Sequence, residues 1–501
     1  MATENENAAA PEAPPAAVEV RPQTLRGFQD LLPKDMFARE WVITRIRRVY
    51  ERYGFQPLDT PVLEHLTTLV GAGGEETNKQ LFRLKTPEGE PIAMRFDLTV
   101  PFARLIAQYP EQLKLPFRRY HIGPVFRADD PAPGRFRQFT QFDIDAAGSP
   151  SVAVDAEMIS AMCEVMREIG LDNTAVPEGQ PQEYLIKISN RKLVDALLEG
   201  CGIDEIERHK HVLRVVDKLD KVGLEEVRKE LGEGRIDASG DRIRGVGLEP
   251  QVIDQIVAFI SVRAATREEV IDAVARLLPD SETSRGALAE MRELAECLEA
   301  LGVAQRDAIF DPSLARGLDY YTGPVYEAVL PAAKVGSVMG GGRYDGLIGR
   351  FTTESIPAAG VSVGLDRFIA GLQMAGKIQT TVTSIQALVV SMPGVRDPEL
   401  LKIAAELRAA GVTAVAYLGK EKTRPKDKFS YANAYDIPVA VIIGEDELKN
   451  GVVSIKNLRL GERLRRDTTT HEEYQKLARE AQVVVPRDQM IATVFKMLEQ
   501  S

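Results

Sequence analysis

Strand signals in this sequence fall into two groups that lie far apart along the chain. The first spans Leu81–Leu84, Ile92–Phe96, Arg119–Phe126 and Phe136–Ile144, and reads as an antiparallel sheet; the second spans Ile309–Asp311, Val325–Val329, Gly336–Gly342 and Gly360–Leu365. From about 190 to 307 the pattern is helical instead, with helices expected over Asp217–Leu231, Glu249–Ser261, Glu268–Leu278 and Arg285–Leu301. The first sheet is therefore expected to be completed across a helical insertion, so that residues distant in sequence become neighbours in space.

The chain has 501 residues, of which 44% are hydrophobic and 27% charged, enough to fill two to four folded units. Boundaries are expected at 1–20 for a disordered leader, 21–189 and 308–376 for the two parts of the sheet unit, and 190–307 for the insertion. A linker over 377–384, an α/β unit over 385–480 and a C-terminal extension over 481–501 complete the division. The α/β unit is read from apolar strands Leu388–Ser391, Val415–Leu418 and Val439–Gly444, separated by helical stretches at Asp397–Ala410 and Lys426–Tyr435. A long amphipathic helix is expected from Asp35 to Tyr53, ended by Gly54, and Pro57 and Pro61 then bracket an edge strand.

Charge and cysteine usage narrow the function. With 63 Lys plus Arg against 74 Asp plus Glu, the net charge is -11, so a nucleic-acid partner must meet a local patch rather than a global field. Cys163, Cys201 and Cys297 are dispersed, which argues against a disulfide scaffold or zinc ribbon and for a reducing cytoplasm. The five histidines form no zinc-ligand pattern, and His209 and His211 are expected to face solvent. No apolar run has the length of a membrane span, so no membrane partner is expected.

Three arginines, Arg127, Arg316 and Arg367, stand at strand ends or beside glycine-rich turns. Each alone is more readily read as half of a surface ion pair. Around Arg127, however, Asp129, Asp130, Arg135, Arg137 and Gln138 gather on one Pro- and Gly-containing turn, a density of rigid donors that suits a nucleoside triphosphate. A carboxylate attacking an α-phosphate brings like charges together, so arginines that hold both in line lower the barrier. Neither a Gly-x-x-x-x-Gly-Lys-Ser/Thr loop nor a Gly-x-Gly-x-x-Gly helix start is present, so the phosphate site is of another kind. Gly340, Gly341 and Gly342 serve either close approach to a ligand or tight sheet packing.

The segments Phe126-Arg127-Ala128-Asp129, Arg135-Phe136-Arg137-Gln138-Phe139, Arg316-Gly317-Leu318-Asp319-Tyr320-Tyr321-Thr322-Gly323 and Gly364-Leu365-Asp366-Arg367 resemble the signatures of histidyl-tRNA synthetases, class II aminoacyl-tRNA synthetases. The resemblance runs from about Arg26 to Gln475. It implies an α+β fold: an antiparallel-sheet catalytic core with a helical insertion and a C-terminal α/β anticodon-binding domain. It also implies ATP-dependent, AMP-forming activation of histidine and transfer to the terminal adenosine of histidine tRNA, with Mg2+ accompanying ATP, in a cytoplasmic homodimer formed around Pro61 and the first helix.

In that resemblance the catalytic pair is Arg127, holding the histidine carboxylate and α-phosphate, and Arg316, approaching the α-phosphate from the histidine side. Arg367 binds the γ-phosphate, Phe139 stacks on adenine, and Asp129 and Arg135 contact ATP, Asp129 standing where Glu is usual. Asp97 and Tyr321 partner the imidazole, Gln141 and Asp145 surround the ammonium, and Thr99 and Tyr320 complete the network. Adjacent tyrosines in an extended segment face opposite ways, so Tyr321 is expected at the ligand with Tyr320 behind it. Asp97, Asp145 and the Phe96–Arg104 stretch resemble the eukaryotic type. For RNA the resemblance implies contacts from Lys420, Lys422, Arg424, Lys426 and Lys428, from the backbone of Ser454–Arg459, and from the insertion against the acceptor arm. The alternative is a histidine-binding regulatory synthetase paralogue that does not charge tRNA.

Overall fold

The computed structural model describes residues 21–72, 78–132, 134–177, 179–203, 205–236, 240–315, 320–333, 335–378, 383–419, 423–460 and 481–500. The expected leader, the Arg316–Asp319 segment, Lys420, Lys422 and His471 lie outside the described residues.

An eight-stranded sheet forms the first unit, in the spatial order Gln56–Pro57, Phe117–Phe126, Gln138–Ala147, Ala358–Gly364, Ser337–Arg343, Pro324–Val329, Leu185–Asn190 and Ala308–Phe310. Its interior is antiparallel; the two outer pairings are parallel. Leu185–Asn190 and Ala308–Phe310, which flank the helical stretch in sequence, lie side by side, so the sheet closes across it. The two-residue strand Gln56–Pro57 is an edge, where a proline without an N–H costs no ladder bond. The expected single early sheet divides in two: Arg83–Lys85 and Pro91–Met94 join Leu63–His65 in a separate three-stranded sheet. Strand propensity fixes a strand but not its partner.

Helix Pro33–Arg52 begins with proline at its first turn and buries Ala38, Val42, Ile46, Val49 and Tyr50, a stripe at three- and four-residue spacing. That stripe shares one apolar core with the inward side of helix Ala153–Ile169, where Cys163 is a packing residue. The same core continues through Ile186 and Ile188 into the inserted helices at Val212, Val227, Ile256, Val274, Met291 and Leu298. The insertion thus shares a core with the sheet. The expected helix Asp217–Leu231 is interrupted: Leu219–Val222 and Leu224–Leu231 meet at Gly223, whose φ of +83° suits glycine and breaks the helix.

The second unit is a five-stranded sheet ordered Ala414–Ala416, Ala387–Ser391, Val439–Ile443, Val452–Asn457 and Gln482–Pro486, with the first three strands parallel and the last two antiparallel to their neighbours. Alternation sorts its faces: Ala387 and Val389 pack with Leu400, Ile403 and Val494, while Leu388 and Val390 pack with Ala432 and Ile437. The tail over 481–501 is consequently not an extension. Gln482–Pro486 is a sheet strand and helix Met490–Glu499 buries Met490, Val494 and Met497 in the core.

Two expected RNA contacts in this unit are also corrected. The Lys428 ammonium is turned inward and donates to the Ser391 carbonyl at 2.6 Å and hydroxyl at 3.0 Å. Of the expected Ser454–Arg459 backbone, the part Ser454–Lys456 is paired to strands on both sides and is not free for RNA. Among the described residues no helix is long and apolar enough to cross a membrane.

Candidate active site

A cleft of about 1230 Å³ opens over the eight-stranded sheet, and Asp97, Thr99, Arg127, Asp129, Arg135, Phe139, Gln141, Asp145, Tyr320, Tyr321 and Arg367 all line it. Every expected site residue within the described part of the chain is therefore at one place. Arg316 lies outside that part; Ala315 and Tyr320, the described residues on either side, are both at the cleft wall.

Strand Gln138–Ala147 organises the floor. Its even positions Phe142, Ile144 and Ala146 enter the apolar core, so Phe139, Gln141, Asp143 and Asp145 share the opposite face. In register beside them stand Arg119 and His121 on one neighbouring strand and Gly360 and Ser362 on the other. Arg119, fully buried, meets the Asp145 carboxylate at 2.6 Å and donates to the Leu98 carbonyl at 3.0 Å, while the Tyr344 hydroxyl donates to Asp145 from the other side. Burial raises the Asp145 pKa to about 6 against the opposing pull of Arg119 and the Tyr344 hydrogen bond. A Cβ on Gly360 would lie 2.7 Å from the Asp145 carboxyl carbon, so glycine there makes room for the acid. One on Gly342 would lie 2.8 Å from the Tyr321 ring. The glycine run thus divides: Gly341 and Gly342 serve packing, while a Cβ on Gly340, at the cleft wall, would meet nothing nearer than the Ser337 hydroxyl at 3.9 Å.

Asp97 precedes helix Thr99–Gln108 and accepts the Val100 N–H at 3.0 Å and the Tyr320 hydroxyl at 3.4 Å. Burial raises its pKa, opposed by the Val100 hydrogen bond and by Arg127. Tyr320 and Tyr321 both reach the cleft, their ring centroids 5.0 Å apart, contrary to the expected opposite facing. They precede the strand that starts at Pro324, and two-residue alternation does not apply before it.

Arg127 follows the end of strand Phe117–Phe126; its Nε donates to the Phe96 carbonyl at 3.1 Å and its guanidinium carbon lies 5.1 Å from the Phe139 ring centre. Asp129 holds Arg135 through Nε at 3.0 Å and Nη2 at 2.6 Å, a forked pair across the turn. Arg367 donates to the Ser337 carbonyl at 3.1 Å, and the preceding Asp366 binds Arg39 at 2.5 Å and accepts the Thr140 N–H at 2.8 Å. Asp366 thereby ties the first helix, the floor strand and the helix that begins at Leu365. The opposite wall is built by the insertion, with Lys210, His211, Arg214, Lys218, Lys221 and Arg244 among Glu207, Asp217 and Glu230. His211 is hence a wall residue, and His209 is largely covered, its ring bonded to the Ile203 carbonyl.

A family model described as histidyl-tRNA synthetase matches residues 27–368, the whole of this cleft. The chain belongs to the histidyl-tRNA synthetase family. A second model, described as an anticodon binding domain, matches residues 386–494. The chain is 39% identical over 492 residues to a histidine–tRNA ligase of Bartonella henselae, covering 94% of this chain and 96% of that one. It is also 39% identical over 493 residues to one of Paracoccus denitrificans, covering 95% and 97%. Among solved structures, the histidyl-tRNA synthetase from Nostoc sp. PCC 7120 superposes with a TM-score of 0.74 at 29% identity, covering 95% of this chain and 100% of that chain.

Within this member of the histidyl-tRNA synthetase family, Tyr344 and Ser362 at the cleft wall, and Arg119 and Asp143 buried beside its acids, are residues that local sequence pattern does not single out. Charges at alternate positions of otherwise apolar strands, Arg119 with His121 and Asp143 with Asp145, were the available signal. Asp143 is buried and its pKa is raised to about 8 by desolvation and by Asp145 and Asp97, against Arg119 and Ser362. An unfolded aspartate titrates near 4, so this group's contribution to stability is full below that pH and lost as pH rises towards 8. Asp143→Asn removes the titration. Melting temperatures of parent and variant measured from pH 5 to 8 should diverge in the variant's favour as pH rises; a constant difference would contradict the assignment.

Proposed function

We propose that this synthetase activates histidine with ATP, forming histidyl-adenylate and pyrophosphate, and then transfers histidine to the terminal adenosine of its tRNA. The observation that carries this reading is the single cleft: an acidic, tyrosine-rich pocket of Asp97, Asp145, Tyr320 and Tyr321 adjoins an arginine and an aromatic ring, Arg127 over Phe139. The near-full-length relatives named histidine–tRNA ligase support it.

In this reading Asp97 and Tyr321 hold the imidazole, which needs both a donor and an acceptor, with Thr99 and Tyr320 supporting them. Gln141 and Asp145 surround the ammonium. Arg127 draws the carboxylate to the α-phosphate, Arg316 closes on that phosphate from the histidine side, Phe139 stacks on adenine, and Asp129, Arg135 and Arg367 receive the rest of ATP. Magnesium enters with the nucleotide, bound through phosphate oxygens and water as is usual for this ion. Among the described residues no three His, Cys, Asp or Glu side chains cluster as a cage for it. The protein acts as a cytoplasmic homodimer joined around its first helix, and the C-terminal α/β unit reads the anticodon.

Pyrophosphate exchange into ATP against a panel of amino acids, followed by charging of RNA, tests the proposal. Histidine alone should support exchange and then appear on tRNA. Histidine binding without exchange would instead make the chain a regulatory paralogue.

A further inference from the structure

We propose that Ser362 is a positioning residue for histidine: it locks the Gln141 side-chain amide so that the amide oxygen, not its nitrogen, meets the substrate ammonium. This rests on Gln141 as an ammonium ligand, as argued above. Gln141 and Ser362 project from neighbouring strands, and the Gln141 Nε2 donates to the Ser362 hydroxyl oxygen at 2.7 Å. The Gln141 Oε1 is buried at the cleft wall and has no hydrogen-bond donor among the described residues. A buried acceptor left without a donor costs free energy that an arriving ammonium repays.

An amide can turn by half a rotation with almost no change of shape, so something must choose its orientation. Asp143 stands opposite Ser362 in register, and both of its buried carboxyl oxygens are without a hydrogen-bond donor among the described residues, so it is the acceptor towards which the Ser362 hydroxyl can turn. In the proposal the Ser362 hydroxyl donates its hydrogen bond to that carboxyl, so that its oxygen serves as the acceptor for the Gln141 Nε2. A neutral carboxyl retains a carbonyl acceptor, so the arrangement holds in either protonation state. Without the hydroxyl the amide is free to present its NH2 to a cation.

The test is pyrophosphate exchange by the full-length protein. Ser362→Ala should raise KM for histidine about tenfold, with the loss in KM rather than kcat because the ammonium contact is the same in ground and transition states. Imidazolepropionate, which lacks the ammonium, should inhibit parent and variant with equal affinity, and Ser362→Thr, which keeps the hydroxyl, should recover most of the loss. In a Gln141→Ala background Ser362→Ala should add nothing further. Equal weakening of imidazolepropionate and histidine would mean general distortion of the pocket and overturn the proposal, as would additive effects of the two substitutions. A parent protein that exchanges no pyrophosphate with histidine would overturn the underlying function before any variant is compared.

Discussion

Arg127→Ala should lower kcat/KM for histidine-dependent pyrophosphate exchange by roughly a hundredfold to a thousandfold, the effect of removing one preorganised donor from a developing charge, about 2.7 to 4 kcal/mol. The guanidinium is set before substrates arrive: its Nε is fixed on the Phe96 carbonyl at 3.1 Å and its plane neighbours the Phe139 ring. When the histidine carboxylate attacks the α-phosphate, two anions converge, and a cation already held between them spends nothing on reorganisation. Arg127→Lys keeps the charge but loses the planar fork and the ring contact, so it should recover only part of the activity. An Arg127→Ala protein within about threefold of the parent would remove this residue from the chemistry.

The second large effect is on folding. Asp155 and Arg343 form an ion pair in which neither side chain is more than 2% exposed, with the Arg343 Nε 3.0 Å from the carboxylate and its Nη2 donating to the Ser151 carbonyl at 2.7 Å. Removing Asp155 leaves buried Arg343 with only the longer carboxylate contact to Asp345 at 3.4 Å, so Asp155→Ala should destabilise the sheet unit by about 3 kcal/mol, the lower end for breaking a buried pair. The pocket depends on this pair: the Arg343 carbonyl accepts the Thr322 N–H at 2.8 Å, immediately after Tyr320 and Tyr321, and Gly342 packs on the Tyr321 ring. Urea unfolding should show an early transition in the variant, and Asp155→Leu with Arg343→Met should regain much of the loss because both buried charges are gone. An unshifted midpoint in Asp155→Ala would show that the pair contributes little.

The parts of this molecule that could be read from sequence are those set by local pattern. Helix Pro33–Arg52, the parallel strands of the second unit and the clustering of Arg127, Asp129, Arg135 and Phe139 follow from periodicity and residue chemistry within short windows. Other features depend on which segments meet. Arg83–Lys85 and Phe117–Phe126 have similar strand character and lie in different sheets. Lys428 sits in a basic run but faces Ser391 because its position on helix Pro425–Ala434 points towards the sheet. The first part of Ser454–Arg459, expected to offer backbone to RNA, is occupied because the final strand, Gln482–Pro486, pairs along the outer edge of Val452–Lys456. Tyr320 and Tyr321 defeated a strand rule because they belong to no strand. The described candidate residues were brought to one cleft because they sit on short motifs of dense charge and aromaticity, whereas buried Arg119, Asp143 and Tyr344 and half-buried Ser362 carried only the faint mark of polarity inside apolar strands.

The most direct measurement is a structure with a non-hydrolysable histidyl-adenylate analogue bound. It should show the Arg127 and Arg316 guanidinium groups on the same α-phosphate from different sides, with adenine on Phe139 and the imidazole between Asp97 and Tyr321. Either arginine turned away from that phosphate, or the imidazole lodged elsewhere, would contradict the account.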